Sequence, residues 1–312
     1  ATEMHMAINA PNLLKLEKWI YKIATLNTAL PVFPQGQYIV CGYGRMGFDI
    51  YNVLKNNDIE TKFIEIDEKK AKSFDSNIKS HIIVANADDK EVLINAGIKE
   101  CIGIIAATNN DTTNLSILTT AKKINKNIMT IARENELDDF SIFDSANINH
   151  LFVPSNILIN KTTNALINPL SEEFVKQLSS KDEVWGGKLV RRLVEIIDEN
   201  PLLFEVYINK YDATEIAYQI VNKNEIELKI FKTSLRNREL KNNVVPLLII
   251  RGNEKIILPA WDIKLNSEDK ILFACDAYAK HDMQYLSQNK YEFHYAYTGK
   301  EKRTILKGLF KK

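Results

Sequence analysis

The chain has 312 residues, 45% of them hydrophobic and 26% charged, so it can bury sizeable cores and its length suggests roughly two domains. Its 41 basic and 40 acidic side chains nearly cancel, which argues against a nucleic-acid-binding surface spread over the whole protein. No apolar stretch reaches the roughly 18 to 20 residues needed to cross a bilayer, and no signal peptide is present, so we expect the chain as given to be soluble.

The three cysteines, Cys41, Cys101 and Cys275, are far apart and each lies in an apolar, strand-like context. We therefore expect buried thiols of a reducing compartment rather than a disulfide framework, which indicates the cytoplasm. Residues 1–6 start without Met and resemble an added tag, so we leave them out of the fold prediction.

Residues 1–36 are predicted to form a lead-in helix and a linker. Apolar residues recur at helical spacing between Leu13 and Leu26, and Pro31 and Pro34 separate them from the first strand. The helix either connects to something upstream or covers the edge of a sheet, and we favour the connector.

An apolar run at residues 38–41 ends at three glycines with the spacing G-x-G-x-x-G. It predicts a strand, a tight turn and a helix start. Gly42 permits the turn, Gly44 lets the backbone approach a pyrophosphate, and Gly47 lets the helix pack close to the strand. Backbone N–H groups at the helix N-terminus then face the phosphates.

Glu65 lies 23 positions after Gly42, at the end of a second predicted strand. This fold places there the acid that hydrogen-bonds a ribose 2′-hydroxyl. A carboxylate also repels a 2′-phosphate, so we expect NAD or an adenosine nucleotide in preference to NADP. The other interpretation is a solvated acid at a strand end.

Strands and helices then alternate through residue 154, which predicts a doubly wound parallel sheet over residues 37–154. Its six predicted strands are residues 38–41, 62–65, 81–85, 101–107, 127–132 and 150–153. Its ligand should lie beyond the carboxyl ends of the strands, where Asn86, Thr108, Asn109 and Arg133 are found. Arg133 either offers its guanidinium to a phosphate or carboxylate or pairs with Glu134 or another subunit. Asn86 and Asp88 either hold an adenine or ribose edge or serve only as helix caps.

Residues 155–182 are predicted to form a long helical crossover, kinked at Pro169. Its apolar face, from Ile157 to Phe174, is expected to pack on a second subunit, and the alternative is packing on the chain's own second domain. Residues 183–290 are predicted to form a smaller α+β domain, with five short β-like runs at residues 203–208, 226–231, 245–251, 255–258 and 270–275 and a helix around residues 278–286. Residues 291–312 are predicted to form a basic tail. Its last part, residues 300–312, is either a basic amphipathic helix that touches anionic lipids or a solvated terminus.

Catalytic and metal motifs are missing from the sequence. The five histidines show no ligand spacing, and no nucleophile elbow or Walker lysine occurs. A dehydrogenase would need an acid–base group near the nicotinamide, and the second half offers no obvious one. We therefore expect a sensor rather than an enzyme, with no catalytic residue and no metal.

Four segments, 38–47, 65–69, 85–98 and 106–114, together resemble the RCK (TrkA-N, or KTN) domain, in that family's order and spacing. The resemblance covers about residues 37–170, and the second half is loosely similar to a TrkA-C module. One departure is that the family's usual Gly-Asp-Ala is here Ala85-Asn86-Ala87, which puts the adenine-side contact in doubt. By position the resemblance implies a cofactor site formed by Gly42, Tyr43, Gly44, Arg45, Met46, Gly47, Glu65, Ile66, Asn86, Ala87, Thr108 and Arg133.

The resemblance also implies a function: a cytoplasmic regulatory domain, at the inner face of the cell membrane, of a potassium channel or transporter. Its ligand would be NAD or NADH, with ADP or ATP as further candidates. Its partners would be itself, as a homodimer or a larger ring, and a channel pore or transporter membrane subunit. The alternatives are an NAD-dependent oxidoreductase and an ion sensor using Asp88 and Asp89.

Overall fold

The computed structural model describes residues 2–72, 80–135, 140–237 and 239–301. The chain divides into two compact units. The N-terminal unit comprises Ala1–Pro11 and Ala29–Thr162, and the C-terminal unit comprises Asn12–Thr28 and Thr163–Lys312. Both units contain helices and strands, in agreement with the predicted α/β class.

The helices and strands of the described residues are numbered here in chain order. The helices are α1 Thr2–Asn9, α2 Pro11–Ile20, α3 Arg45–Asn56, α4 Glu68–Lys72, α5 Lys90–Asn95, α6 Asp111–Ile124, α7 Phe140–Ser145, α8 Pro154–Ile167, α9 Pro169–Leu178, α10 Glu183–Ile196, α11 Thr214–Val221, α12 Ala277–Gln288 and α13 Lys290–Thr298. The strands are β1 Tyr38–Cys41, β2 Thr61–Glu65, β3 Ile82–Val84, β4 Gly103–Ala106, β5 Met129–Arg133, β6 His150–Phe152, β7 Leu202–Tyr207, β8 Val244–Arg251, β9 Glu254–Ile257 and β10 Lys270–Cys275.

The N-terminal unit is built on a six-stranded parallel sheet in the order β3-β2-β1-β4-β5-β6. The strand order reverses between β1 and β4, so their carboxyl ends form the switch point at which such sheets bind ligands. The predicted Rossmann-like doubly wound sheet is confirmed, and all six predicted strands are present with no bound shifted by more than two residues.

Alternate residues of β1 enter two different cores. Ile39 and Cys41 pack with Ile104 and Leu118 in one cluster. Tyr38 and Val40 belong to a second cluster with Ile50 and Phe63. Because successive strand residues point to opposite faces, both faces of the sheet are covered, which is why its strands read as continuous apolar runs.

The C-terminal unit contains a four-stranded antiparallel sheet in the order β7-β10-β8-β9. Four of its five predicted β-like runs are strands, and the fifth, residues 226–231, is not. It instead forms one isolated bridge, Glu227 with Lys264, followed by a 3-10 helix at Leu228–Lys232. Ile226, Leu228 and Phe231 nevertheless reach the core of this unit, so their apolar spacing reflects burial rather than a strand.

Three helices of the C-terminal unit were not predicted: α10, α11 and α13. Helix α10 carries Gly186 and Gly187, which weaken a helical pattern. The structure explains Gly186, because a Cβ there would lie 2.9 Å from Cδ2 of Leu13. Helix α13 occupies residues 290–298, so most of the described part of the predicted tail is helical. The last part of that tail, residues 302–312, lies outside the described residues.

The lead-in segment is divided between the two units, whereas we predicted a single segment over residues 1–36. Helix α2 packs within the C-terminal unit. The backbone N–H of Asn12 donates to the Glu183 carboxylate at 3.0 Å, and Trp19 Nε1 donates to the Pro201 carbonyl at 2.8 Å. Leu16 and Leu26 are fully buried. The helix therefore packs in the core of that unit and does not cover the edge of the parallel sheet, while a connection to an upstream segment stays a prediction.

The predicted crossover is two helices rather than one kinked helix. It breaks at Asn168, and Pro169 begins α9. The predicted apolar face divides at the same point: Ile159, Leu166 and Ile167 on α8 are 52%, 79% and 69% exposed. Leu170 and Phe174 on α9 are buried, and α9 packs on β8 and β10. Packing on the chain's own second domain therefore accounts for α9 but not for α8. The side chain of Ile157 lies outside the described residues.

Candidate nucleotide-binding site

A cavity of about 420 Å3 opens at the carboxyl ends of β1, β2, β3 and β4. It follows the switch point of the parallel sheet, where the topology predicts a ligand. Its lining consists mainly of small, polar and charged residues: Gly42, Gly44, Ile64, Glu65, Ile66, Lys70, Ala85, Asn86, Ala87, Asp88, Ala107, Thr108, Asn109, Asn110, Thr113 and Ile117.

The three glycines of the G-x-G-x-x-G segment have three different surroundings. Gly42 has φ +93°, a left-handed conformation, and a Cβ there would lie 3.1 Å from backbone atoms of Ala107 and Thr108. A Cβ on Gly47 would lie 2.1 Å from the Gly42 carbonyl oxygen. A Cβ on Gly44 would meet no atom within 4 Å, because this residue faces the cavity. The turn and the close packing thus need Gly42 and Gly47, while Gly44 leaves space over the cavity.

Helix α3 points its N-terminus toward the glycine loop. It begins at Arg45 with Gly44 as its N-cap, and no side chain caps it. The first N–H groups of a helix have no partner within the helix and carry the positive end of its dipole. Such an end, next to an open cavity, is suited to hold a phosphate.

Glu65 ends β2 and is only 5% exposed, yet it lines the cavity. One carboxylate oxygen accepts the backbone N–H of Tyr43 at 2.8 Å, and the other accepts that of Asp67 at 2.9 Å. The two bonds fix the carboxylate between the glycine loop and the residues after β2. A carboxylate has about four acceptor positions, so each oxygen can still accept a ribose hydroxyl.

Asn86, Ala87 and Asp88 line the cavity after β3. The Asn86 side chain accepts the Asp88 backbone N–H at 3.1 Å, and Asp88 accepts a hydrogen bond from the Ser116 hydroxyl. The cap of helix α5 is Asp89, whose side chain accepts the Glu91 N–H. Asn86 therefore forms a local turn and does not cap a helix.

Seven of the twelve predicted cofactor residues line the cavity, and these are Gly42, Gly44, Glu65, Ile66, Asn86, Ala87 and Thr108. The other five lie beside it. Tyr43 is buried against Phe63 in the sheet core, and Gly47 packs against Gly42. Arg45 and Met46 form the first turn of α3.

Arg133 is placed next to the cavity by a hydrogen bond to one of its lining residues. Nη1 of Arg133 donates to Oδ1 of Asn109 at 3.1 Å. The guanidinium thus supports the loop after β4.

Sequence reasoning missed several lining residues, among them Lys70, Asn110, Thr113 and Ile117. Asn110 could have been found, because an Asn immediately before a helical pattern predicts an N-cap, and its side chain accepts the Thr113 N–H at 2.7 Å. Lys70 lies in a short, highly charged helix, where no pattern distinguishes it from a solvated lysine.

The described residues contain no group of three or more His, Cys, Asp or Glu side chains that could hold a metal ion. All three thiols are free and buried, as predicted. Burial raises the pKa of Cys101 to about 11 and that of Cys275 to about 12, and it also raises the pKa of Cys41, so these thiols stay protonated at neutral pH. They are therefore structural rather than nucleophilic.

The parallel sheet, the glycine loop and the acid at the end of β2 define a Rossmann-like domain. Residues 38–154 match the TrkA-N domain model. That match does not extend to the second half, so the TrkA-C-like module predicted there is not confirmed.

Two named relatives belong to potassium transport. Potassium channel protein 1 of Methanocaldococcus jannaschii is 26% identical over 260 residues, which are 82% of this chain and 66% of that protein. The Trk system potassium uptake protein TrkA homolog of Pyrococcus horikoshii is 24% identical over 217 residues, 65% of this chain and 94% of that protein. The chain thus spans about two thirds of the channel protein and nearly all of the TrkA homolog.

Among solved structures, the GsuK RCK domain is similar with 16% identity and a TM-score of 0.39, over 79% of this chain and 45% of that one. The GsuK channel bound to NAD is similar with 15% identity and a TM-score of 0.42, over 82% of this chain and 39% of that one. Within the described part of this chain, no helix is both long enough and apolar enough to span a membrane.

Proposed function

We propose that the cavity binds an adenosine nucleotide, and that Glu65 holds its ribose. The observation that carries this proposal is a nearly buried carboxylate, fixed by two backbone N–H groups, beside the open glycine loop. With phosphates at the N-terminus of α3, the ribose hydroxyls face Glu65 and the base lies toward Asn86 and Ala87. NAD or NADH fits this arrangement best, and ADP and ATP are further candidates. NADP is disfavoured, because its 2′-phosphate would face the Glu65 carboxylate.

In this proposal, nucleotide binding regulates potassium transport. The TrkA-N domain and the relatives named as a potassium channel protein and a TrkA homolog support it. The nucleotide acts by favouring one arrangement of the protein over another, and it can shift that equilibrium only by its difference in affinity for the two. The partner is then a channel pore or a transporter membrane subunit, which places the protein at the inner face of the cell membrane.

A regulatory role is favoured over an NAD-dependent oxidoreductase by the composition of the cavity. Among its described lining residues the ionisable side chains are Glu65, Lys70 and Asp88, and none is His, Tyr or Cys. Glu65 is held by two N–H groups and Asp88 by Ser116, so both carboxylates already have structural hydrogen bonds. A change in NADH absorbance on incubation with a small substrate would instead support the oxidoreductase.

A thermal-shift titration with NAD, NADH, ADP, ATP and NADP tests the binding proposal. A ligand at about 100 times its Kd stabilises the folded state by roughly 2.7 kcal/mol, which raises Tm by a few degrees. We expect Glu65→Gln to remove most of the shift. The matched control is Glu60→Gln, because Glu60 directly precedes the same strand and its carboxylate accepts a hydrogen bond from the Gln37 amide instead of lining the cavity.

Three outcomes of the thermal-shift titration can be distinguished. A shift that is retained in Glu60→Gln and lost in Glu65→Gln supports the assigned ribose contact and identifies the ligand. If no nucleotide shifts the wild-type protein, the glycine loop is structural here and the proposal fails. If a nucleotide shifts all three proteins equally, it binds without Glu65.

A further inference from the structure

The loop between β4 and α6 forms one wall of the cavity. Its three residues, Thr108, Asn109 and Asn110, all line the cavity, and together they join Ala107 to the first residue of α6. Such a loop presents backbone and side-chain polar groups to a ligand only if its conformation is fixed. The structure shows which side chain fixes it.

Asn114 lies one turn into α6, is fully buried, and does not line the cavity. Its Oδ1 accepts the backbone N–H of Thr108 at 3.0 Å and the hydroxyl of Thr108 at 2.7 Å. Its Nδ2 donates to the carbonyl of Thr108 at 3.2 Å and to the carbonyl of Arg133 at 2.9 Å. All four hydrogen-bonding positions of the amide are therefore used, and three of them hold Thr108.

The same amide joins the ends of two neighbouring strands. Thr108 follows β4 and Arg133 ends β5, so Asn114 ties the cavity wall to the next strand of the sheet. A second contact supports the connection, because Arg133 Nη1 donates to Asn109. A third runs from the backbone N–H of Asn135 to the Asp111 carboxylate at 2.8 Å. The cavity wall is thus held by hydrogen bonds from α6 and from the end of β5.

The position of this loop in the sheet determines which part of a ligand it meets. In the order β3-β2-β1-β4, Glu65 and Asn86 lie on one side of the glycine loop and Thr108 lies on the other. A nucleotide with its ribose at Glu65 and its phosphate at the glycine loop reaches Thr108 only with groups beyond that phosphate. A mononucleotide ends before this wall, whereas a dinucleotide extends along it.

We propose that Asn114 is a positioning residue that gives the site its selectivity for dinucleotides over mononucleotides, by holding the Thr108–Asn110 wall against the second half of the ligand. This inference rests on the proposed nucleotide site. It adds Asn114, which does not contact the ligand but determines whether the site prefers a dinucleotide or a mononucleotide.

The test compares the Kd of AMP and of NAD, by calorimetry, for the wild-type chain and Asn114→Ala. We expect the Kd of NAD to rise about tenfold and that of AMP to stay within about twofold. The matched control is Asn125→Ala at the other end of α6, where the amide donates to the carbonyls of Ile98, Lys99 and Cys101 at 3.0 to 3.3 Å. It removes a comparable set of hydrogen bonds and should change neither Kd.

Because a buried amide can be essential for folding, Asn114→Ser provides a second variant that places no charge at this buried position. Its hydroxyl is polar but too short to occupy all four hydrogen-bonding positions of the amide. We expect the same selective loss of NAD affinity. Equal weakening of AMP and NAD, or no change in either, overturns the role of Asn114 while leaving the nucleotide site intact. A wild-type chain that binds neither nucleotide overturns the underlying proposal as well.

Discussion

At the scale of single residues, the glycine loop separates two roles that the motif alone does not distinguish. A Cβ on Gly47 would collide with the Gly42 carbonyl oxygen, at 2.1 Å, whereas a Cβ on Gly44 would project into open space. Gly47 is therefore needed for the fold. Gly44 is needed only where a ligand approaches the backbone.

Paired alanine substitutions test this separation. We expect Gly47→Ala to destabilise the unliganded protein by about 1 to 3 kcal/mol, because backbone atoms must move to relieve the clash. Gly44→Ala should leave the Tm of the unliganded protein within a degree or two and weaken nucleotide binding at least tenfold. Thermal melts with and without nucleotide measure both effects. An equal loss of stability in the two variants would contradict the separation.

The residues found from the sequence are those with a fixed spacing and a single physical role. Gly42, Gly44 and Glu65 were found because a turn, an open approach and a strand-end acid each occupy a defined position. Lys70 and Thr113 were missed because their place at the cavity depends on where α4 and α6 pack on the sheet. Asn114 belongs to the same class, since three of its hydrogen bonds hold the nearby Thr108 while the fourth depends on the packing of α6 beside the end of β5 at Arg133.

At the scale of elements, the strands that are covered on both faces can be predicted from the sequence. Elements whose residues pack against distant parts of the chain cannot. The parallel strands carry continuous apolar runs, which define them without further information. In helix α10, Gly186 lies against Leu13, a residue far away in the chain, and this close approach explains a glycine that weakens the helical pattern. The run at residues 226–231 has strand-like alternation, but it forms only one bridge.

Helix α2 is the element whose position differs most from its prediction, and one substitution tests its role. Leu16 is fully buried, so Leu16→Ala should destabilise the C-terminal unit by about 2 to 5 kcal/mol. The chain has three tryptophans, Trp19, Trp185 and Trp261, and all belong to that unit. Tryptophan fluorescence during urea unfolding therefore follows this unit alone.

Ile23 provides the control for this prediction, because it follows the same helix and is 46% exposed. Ile23→Ala should shift the urea midpoint very little, since substitutions at exposed sites usually change stability by about 0.5 kcal/mol or less. If Leu16→Ala behaves like Ile23→Ala, helix α2 does not contribute to the core of the C-terminal unit.

At the scale of the whole molecule, chain connectivity ties the two units together. The chain passes between them after Pro11, after Thr28 and after Thr162. The last of these passages lies within α8, so a single helix contributes residues to both units. Removal of the residues before Ala29 would take away part of the C-terminal core. A truncation that begins after Thr28 also removes α1, whose Met4 packs in a core cluster of the N-terminal unit.

The exposed residues of α8 provide the last prediction, which concerns assembly. Leu166 and Ile167 are large apolar side chains that are 79% and 69% exposed, and adjacent exposed apolar residues commonly mark a contact with another subunit. We propose that α8 pairs with its counterpart in a second copy of the chain, through a symmetric interface. A charge in such an interface would be buried without a partner, so Leu166→Glu should convert a dimer into a monomer.

Sedimentation velocity at micromolar concentration measures this change directly. Leu240→Glu is the matched control, because Leu240 is 60% exposed and lies in the C-terminal unit away from α8 in the sequence. It should leave the sedimentation coefficient of the wild-type protein unchanged. A wild-type chain that sediments as a monomer would contradict the proposed interface, as would a Leu166→Glu variant that stays dimeric. If the dimer is lost and nucleotide affinity falls with it, binding and assembly are linked, because a ligand and an interface that favour the same arrangement stabilise each other.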